Sequence, residues 1–321
     1  MSRSPALAAP LLAAFAFACG ADQRDALPAS PDAGGAAPVV VSPSASVLPD
    51  DACSKMDILL VVDNSGSMKE EQANLAANFA VLTQRLDQYT TASGAQLDYR
   101  IAVTTTGRSA RYKMTPELPG MPPLPTLDVN DKGDDGRFRR ACSMSHTWLE
   151  RGEPDLSSNF SCVANVGAGG PALEMPLESL RLAVTTRMGD SANAGFLRDD
   201  ALLGVMILTD EDDCSRTDND FTIKDDTCPP GTPGYAAVDD YVSALDAVKG
   251  GRERWAAAVI AGPTNCSSGF GQAGEATRLK DFVAKTGQNA VLGNICLGDL
   301  VKPLENALGV FDAACKKFKV K

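Results

Sequence analysis

The apolar run Ile58-Leu59-Leu60-Val61-Val62, set between Asp57 and the loop Asp63-Asn64-Ser65-Gly66-Ser67-Met68, decides what core this chain can build. Consecutive apolar residues bounded by polar turn formers suit a strand buried on both faces, the environment of a parallel sheet. From Met68 to Asp87, Leu75, Phe79, Leu82 and Leu86 recur at helical spacing. Strand, loop and helix together put Asp63, Ser65 and Ser67 at the carboxyl end of a central strand, where open α/β sheets bind their ligands. Gly66 supplies the bend. Carboxylate and hydroxyl oxygens are hard donors that suit Mg²⁺, Mn²⁺ or Ca²⁺ better than copper or zinc.

The rest of the chain repeats the alternation. Strands are predicted over 97–104, 202–208, 255–261 and 289–295, and helices over 173–188, 235–248, 273–285 and 300–318. Alternating strands and helices build a parallel sheet covered on both faces. The segment 107–165 interrupts the pattern as an insertion without strong periodicity, and its run Asp128 to Gly136 reads as a solvated acidic turn. It leaves the strand beside the Asp63 strand, so it is placed to return over the same end of the sheet. The acids Asp210, Glu211, Asp212 and Asp213 outnumber what one cation needs, leaving a second cation and a solvated loop start as equal readings. There is neither a phosphate-binding glycine loop nor a G-x-S-x-G elbow, and His146 is the only histidine. A formal net charge of −11 argues against nucleic acid and anionic lipid as partners.

Residues 1–19 read as an export signal: Arg3, a small-residue apolar stretch, and the ending Phe17-Ala18-Cys19-Gly20, which resembles a bacterial lipobox with Cys19 as the lipidated residue. Residues 20–50, rich in Ala, Pro, Ser and Gly, lack the apolar area to fold and read as a tether. The remaining eight cysteines suit four disulfides in an oxidising compartment. Low loop-closure cost pairs Cys142 with Cys162, Cys214 with Cys228 and Cys266 with Cys296. Cys53 precedes the central strand and Cys315 ends the last helix, so topology brings these two to the same end.

Asp63-x-Ser65-x-Ser67, following a buried strand and preceding a helix, resembles the D-x-S-x-S motif of von Willebrand factor type A (VWA) domains. Leu208-Thr209-Asp210 falls where that family carries its distal aspartate. The resemblance implies an α/β, Rossmann-like fold over 51–321, with strand order 3-2-1-4-5-6 and helices on both faces. It implies a metal-ion-dependent adhesion site (MIDAS) in which Ser65 and Ser67 hold Mg²⁺ directly, with Mn²⁺ or Ca²⁺ as alternatives, and Asp63 and Asp210 act through water. The family's threonine ligand aligns with Ala168, and Glu174 is the candidate to replace it. The implied function is a surface-anchored adhesion or scaffold module, not an enzyme, whose cation accepts an acidic residue of a protein partner. A structural module with a degenerate metal site is the alternative, followed by a secreted hydrolase built on the acidic cluster and His146. Lipobox, tether and metal loops together are similar to bacterial VWA-domain lipoproteins. That similarity implies an outer-membrane lipoprotein facing the periplasm or cell surface, touching the membrane only through its lipid.

Overall fold

The apolar run becomes the centre of a six-stranded sheet. The computed structural model describes residues 53–91, 94–116, 120, 122, 124–225, 228, 232–269, 271–298 and 300–319, without the side chains of 73–77, 79 and 80. The chain divides into units 1–46 and 47–321, and every described residue belongs to the second. The signal, Cys19 and the 20–50 tether lie outside the described residues, as do the side chains of Leu75 and Phe79.

In chain order the elements are β1 (Lys55–Val62), α1 (Lys69–Gln88), β2 (Asp98–Thr105), β3 (Arg111–Met114), β4 (Leu127–Asn130), β5 (Trp148–Glu150), α2 (Leu156–Ala164), α3 (Pro176–Val184), α4 (Thr186–Gly189) and β6 (Leu202–Leu208). There follow β7 (Asp220–Ile223), α5 (Val238–Lys249), β8 (Trp255–Ala261), β9 (Cys266–Ser268), β10 (Gly271–Ala273), α6 (Thr277–Thr286), β11 (Ala290–Asn294) and α7 (Val301–Cys315). The main sheet runs β11-β8-β6-β1-β2-β5, parallel throughout except for the antiparallel edge strand β5.

Counted along the whole chain, this departs from the expected 3-2-1-4-5-6 order because β3 and β4 intervene; counted over the six main-sheet strands alone, with β5 third, the order is 3-2-1-4-5-6. The third and fourth strands, β3 and β4, leave the main sheet and pair with β7 in a separate three-stranded sheet. The edge beside β2 is taken instead by β5, from inside the insertion. The insertion is therefore structured: it supplies β3, β4, β5 and the whole of α2. Short strands carry too few periods to stand out from loop sequence. Its acidic turn is not simply solvated either. Asp134 accepts a hydrogen bond from Thr105 Oγ1 at 3.0 Å and Asp135 one from Ser109 N at 2.7 Å, folding the turn back onto the carboxyl end of β2.

β1 is buried from Met56 to Val62, and alternate residues feed two cores. Ile58, Leu60 and Val62 pack with α1, α2 and α7 through Leu86, Phe160 and Phe311. Leu59 and Val61 pack with α3, α5 and α6 through Leu180, Tyr241 and Phe282. This two-sided burial is the largest favourable term in folding, at roughly 25 cal/mol for each Å² of apolar surface removed from water. Gly204 in β6 lets α7 close in, since a Cβ there would stand 2.9 Å from the Phe311 ring. The helix expected from Leu173 starts only at Pro176, whose preset φ suits a first turn. It breaks at Thr185, where the side chain turns back to bond Arg181 O. Leu173 and Glu174 are thereby left in the loop, where the site is built.

Four disulfides join Cys53 to Cys315, Cys142 to Cys162, Cys214 to Cys228 and Cys266 to Cys296, with Cα separations of 5.1, 6.5, 5.2 and 6.2 Å. All lie within the span a disulfide bridges without backbone movement. At the amino end of β1, buried Asp57 accepts from both the backbone N–H and Nε of Arg198, at 2.7 and 2.8 Å.

Candidate metal centre

β1 and β6 are adjacent and in register, Val62 against Leu208, so the residues following them emerge side by side. That register brings Asp63 and Asp210 to one place. Asp63 N donates to Leu208 O at 2.9 Å, continuing the ladder into the loop. The Asp63 carboxylate then turns back on its own loop, accepting from Ser65 N at 2.8 Å and from Thr209 Oγ1 at 2.6 Å. The Ser65 and Ser67 hydroxyls are 2.8 Å apart, and Ser67 Oγ donates to Asp210 Oδ1 at 3.2 Å. Gln72, one turn into α1, donates from Nε2 to Asp63 O at 2.7 Å. Asp63, Ser65, Ser67 and Asp210 therefore form one continuous array.

Glu174 approaches from the other side. Its side chain is fully buried and accepts from Thr106 Oγ1, at the end of β2. Its other oxygen, Oε1, is buried and has no hydrogen-bond partner. The loop expected to carry the family threonine reaches the site differently: Gly170 N donates to Asn64 O at 2.7 Å, while Ala168 is half-buried and brings no oxygen side chain. The hydroxyl on this side comes instead from Thr106.

The electrostatics are one-sided. Burial, then the Asp63 charge, holds the Asp210 carboxyl up at about 7. Burial and the same neighbour push Glu174 well above the usual carboxylate range, and burial raises Asp63 itself. Two other buried acids have arginine partners, Asp57 with Arg198 and Asp213 with Arg278. Among the described residues Asp63, Glu174 and Asp210 have no such partner: their neighbours are hydroxyls, backbone and one another. Buried like charges of this kind require a proton or a cation between them.

The remaining acids are spent on structure. Asp212 accepts from the N–H groups of Arg278 and Leu279, capping α6. Asp213 bonds Arg278, Leu177 N and Ser215 Oγ. Neither is left for a second cation, so the run of four acids divides between the site and the fold. His146 stacks on Trp148 at the surface with ring centroids 5.8 Å apart and lies 3.0 Å from Ser145 Oγ.

The donor set fits a hard divalent cation: two hydroxyls, buried carboxylates and an unpartnered carboxylate oxygen. Among the described residues no three His, Cys, Asp or Glu side chains converge into a ready-made cage, so the serine hydroxyls are needed. Above Ser67, Asp210 and Glu211 lies an open cleft of 540 Å³ whose far wall is the β9–β10 hairpin, with Asn265, Cys266, Ser267 and Gln272. The hairpin is tied to the site by Gly274 N donating to Asp210 O at 2.8 Å and to the end of β11 by Cys266–Cys296. Three contributors were missed in the sequence: Thr106, Gln72 and the hairpin. The only available signal was the run Thr104-Thr105-Thr106 closing a strand beside β1.

No protein-family profile matches this sequence, and no curated protein matches it. Solved structures do match in chain path. Proximal thread matrix protein 1 from the mussel byssus, with zinc occupying its MIDAS motif, is 14% identical with a TM-score of 0.42, over 82% of this chain and 47% of that one. The pilus adhesin SpaC from Lactobacillus rhamnosus GG is 12% identical with a TM-score of 0.39, over 82% of this chain and 31% of that one. The chain spans less than half the length of either. Likenesses this distant leave the functional reading to the site's own geometry.

Proposed function

We propose that the chain is a VWA-type, cation-dependent protein-binding module rather than an enzyme. The observation that carries this reading is the cluster Asp63, Glu174 and Asp210, buried without a cationic side chain and joined to the Ser65 and Ser67 hydroxyls. Ser65, Ser67, Asp63 and Asp210, with Glu174 beside them, would hold Mg²⁺, or Mn²⁺ or Ca²⁺ in its place. The bound ion would supply a Lewis-acidic face toward the cleft. The chain's residues do the rest. Asp63 organises the loop through Ser65 N and Thr209, while Ser67 and Asp210 face the cleft. An acidic residue of a protein partner as the occupant is the expectation that the VWA resemblance carries.

Thermal unfolding with EDTA and with added Mg²⁺, Mn²⁺ or Ca²⁺ tests the reading. A cation at about a hundred times its Kd should stabilise by about 2.7 kcal/mol. For a domain of this size that is a rise of roughly 5–10 °C. Asp63→Ala should abolish the rise, and a wild-type transition that none of the three ions moves would remove the proposal.

The same proposal places the module on the bacterial envelope, held by lipid on Cys19. Four disulfides support an oxidising compartment, and among the described residues no helix is long and apolar enough to cross a membrane. Cys19→Ser should move the protein from the membrane fraction to the soluble one; a variant that stays with the membrane refutes the anchor.

A further inference from the structure

We propose that Glu174 is a built-in third carboxylate whose charge turns this site away from acidic ligands, so that a partner meets the cation through a neutral oxygen: an amide, a hydroxyl or a backbone carbonyl. This deepens the cation-binding reading above and rests on it.

The resemblance puts a neutral threonine on this side of the site. Here the aligned Ala168 has no oxygen to give, and a wholly buried carboxyl stands beside Asp63 instead. Its placement is enforced from both flanks. Glu174 O accepts from Cys214 N at 2.8 Å, and Met175 N donates to Thr106 O at 3.2 Å. Leu173 and Met175 are each 1% exposed, so the segment cannot withdraw toward water without opening a core. One carboxylate oxygen takes the Thr106 hydroxyl, and the other is buried without a protein donor, with the Asp63 carboxyl as an acidic neighbour of Glu174, so a proton or a cation belongs between these acids.

Charge counting then decides what the site accepts. Two carboxylates balance a divalent ion, and a third leaves one uncompensated negative charge. Glu211 and Glu71 add potential of the same sign, the first at Glu174 and the second at Asp210. A partner's carboxylate would bring a further like charge up to a cluster that already carries excess negative charge, which is unfavourable. A neutral oxygen brings none. The cleft wall agrees, since the side chains of Asn265, Ser267 and Gln272 offer neutral hydrogen-bonding groups and no cation.

The test uses the full chain and Glu174→Gln, which keeps the side chain's size and an acceptor for Thr106 while removing the charge; Glu174→Thr is the second variant should the first fail to fold. Calorimetric titration with Mg²⁺, Mn²⁺ and Ca²⁺ should show binding by the wild type and at least tenfold weaker binding by either variant. The Mn²⁺-loaded proteins are then titrated with acetate at constant ionic strength, following water-proton relaxation by the bound Mn²⁺. Acetate should displace bound water from the variant at tenfold or more lower concentration than from the wild type. Equal acetate responses, or equal cation affinities, overturn the role of Glu174 and leave the cation reading intact. A wild type that binds none of the three ions overturns both.

Discussion

In cation-free buffer the protein is expected to lose stability as the pH rises from about 4 to about 7, and Asp210→Asn is expected to remove much of that loss. Burial and the Asp63 charge raise the Asp210 carboxyl from 3.8 to about 7. Between these values the folded state keeps a proton that the unfolded chain has released, so stability falls with rising pH across this window. The contribution is complete below it and gone above it. The full difference is about 4 kcal/mol at most. Asparagine keeps the acceptor that Ser67 Oγ uses at 3.2 Å and carries no charge. Saturating Mg²⁺ should flatten the wild-type slope, because the ion takes the proton's place. Urea midpoints at pH 5 and pH 8, with EDTA and with Mg²⁺, measure all four cases. Parallel slopes in wild type and Asp210→Asn would show that this carboxyl does not titrate as described.

The second large effect lies behind the site. Arg278→Met should cost about 3–5 kcal/mol, because it leaves a buried carboxylate without its counterion. Asp213 is fully buried and meets Arg278 Nη2 at 3.0 Å and Nε at 3.1 Å, while its other oxygen accepts Leu177 N at 3.0 Å. Pairing the change with Asp213→Asn should recover a good part of the loss, since the uncompensated charge disappears with the residue that carries it. The pair matters to the candidate metal centre through Leu177, three residues beyond Glu174 at the start of α3. Denaturant unfolding of the two single variants and the double variant closes the cycle. A loss below about 1 kcal/mol for Arg278→Met would mean that water reaches Asp213.

What was legible in the sequence was whatever long-period patterning writes. The ends of β6 and β8 match the expected strands residue for residue, because an unbroken apolar run has the same limits in sequence and in space. Asp63, Ser65, Ser67 and Asp210 come together because two such strands lie side by side. β5 has three residues and β3, β4 and β7 four each, too short to declare themselves, so the departure of two strands into a second sheet was invisible. Thr106 and Glu174 meet across a sequence distance of 68 residues through the pairing of β1 with β2 and the placing of α3. No local spacing encodes that meeting. The four acids from Asp210 to Asp213 look alike on paper. Only their partners in space separate two that face the site region from two that hold α6 and Arg278.

The link between Cys53 and Cys315 has a mechanical consequence. Cys53 enters at the foot of β1 and Cys315 leaves α7 at that same end, their Cα atoms 5.1 Å apart. Tension applied between the chain segments outside these two cysteines runs through a covalent bond, and the residues between them carry none of it. A load applied at the metal end is different: it travels down β1 and must shear two parallel neighbours, β2 and β6, whose backbone hydrogen bonds all resist together. A load of that kind therefore meets the central strand in shear, the direction in which both ladders resist as one.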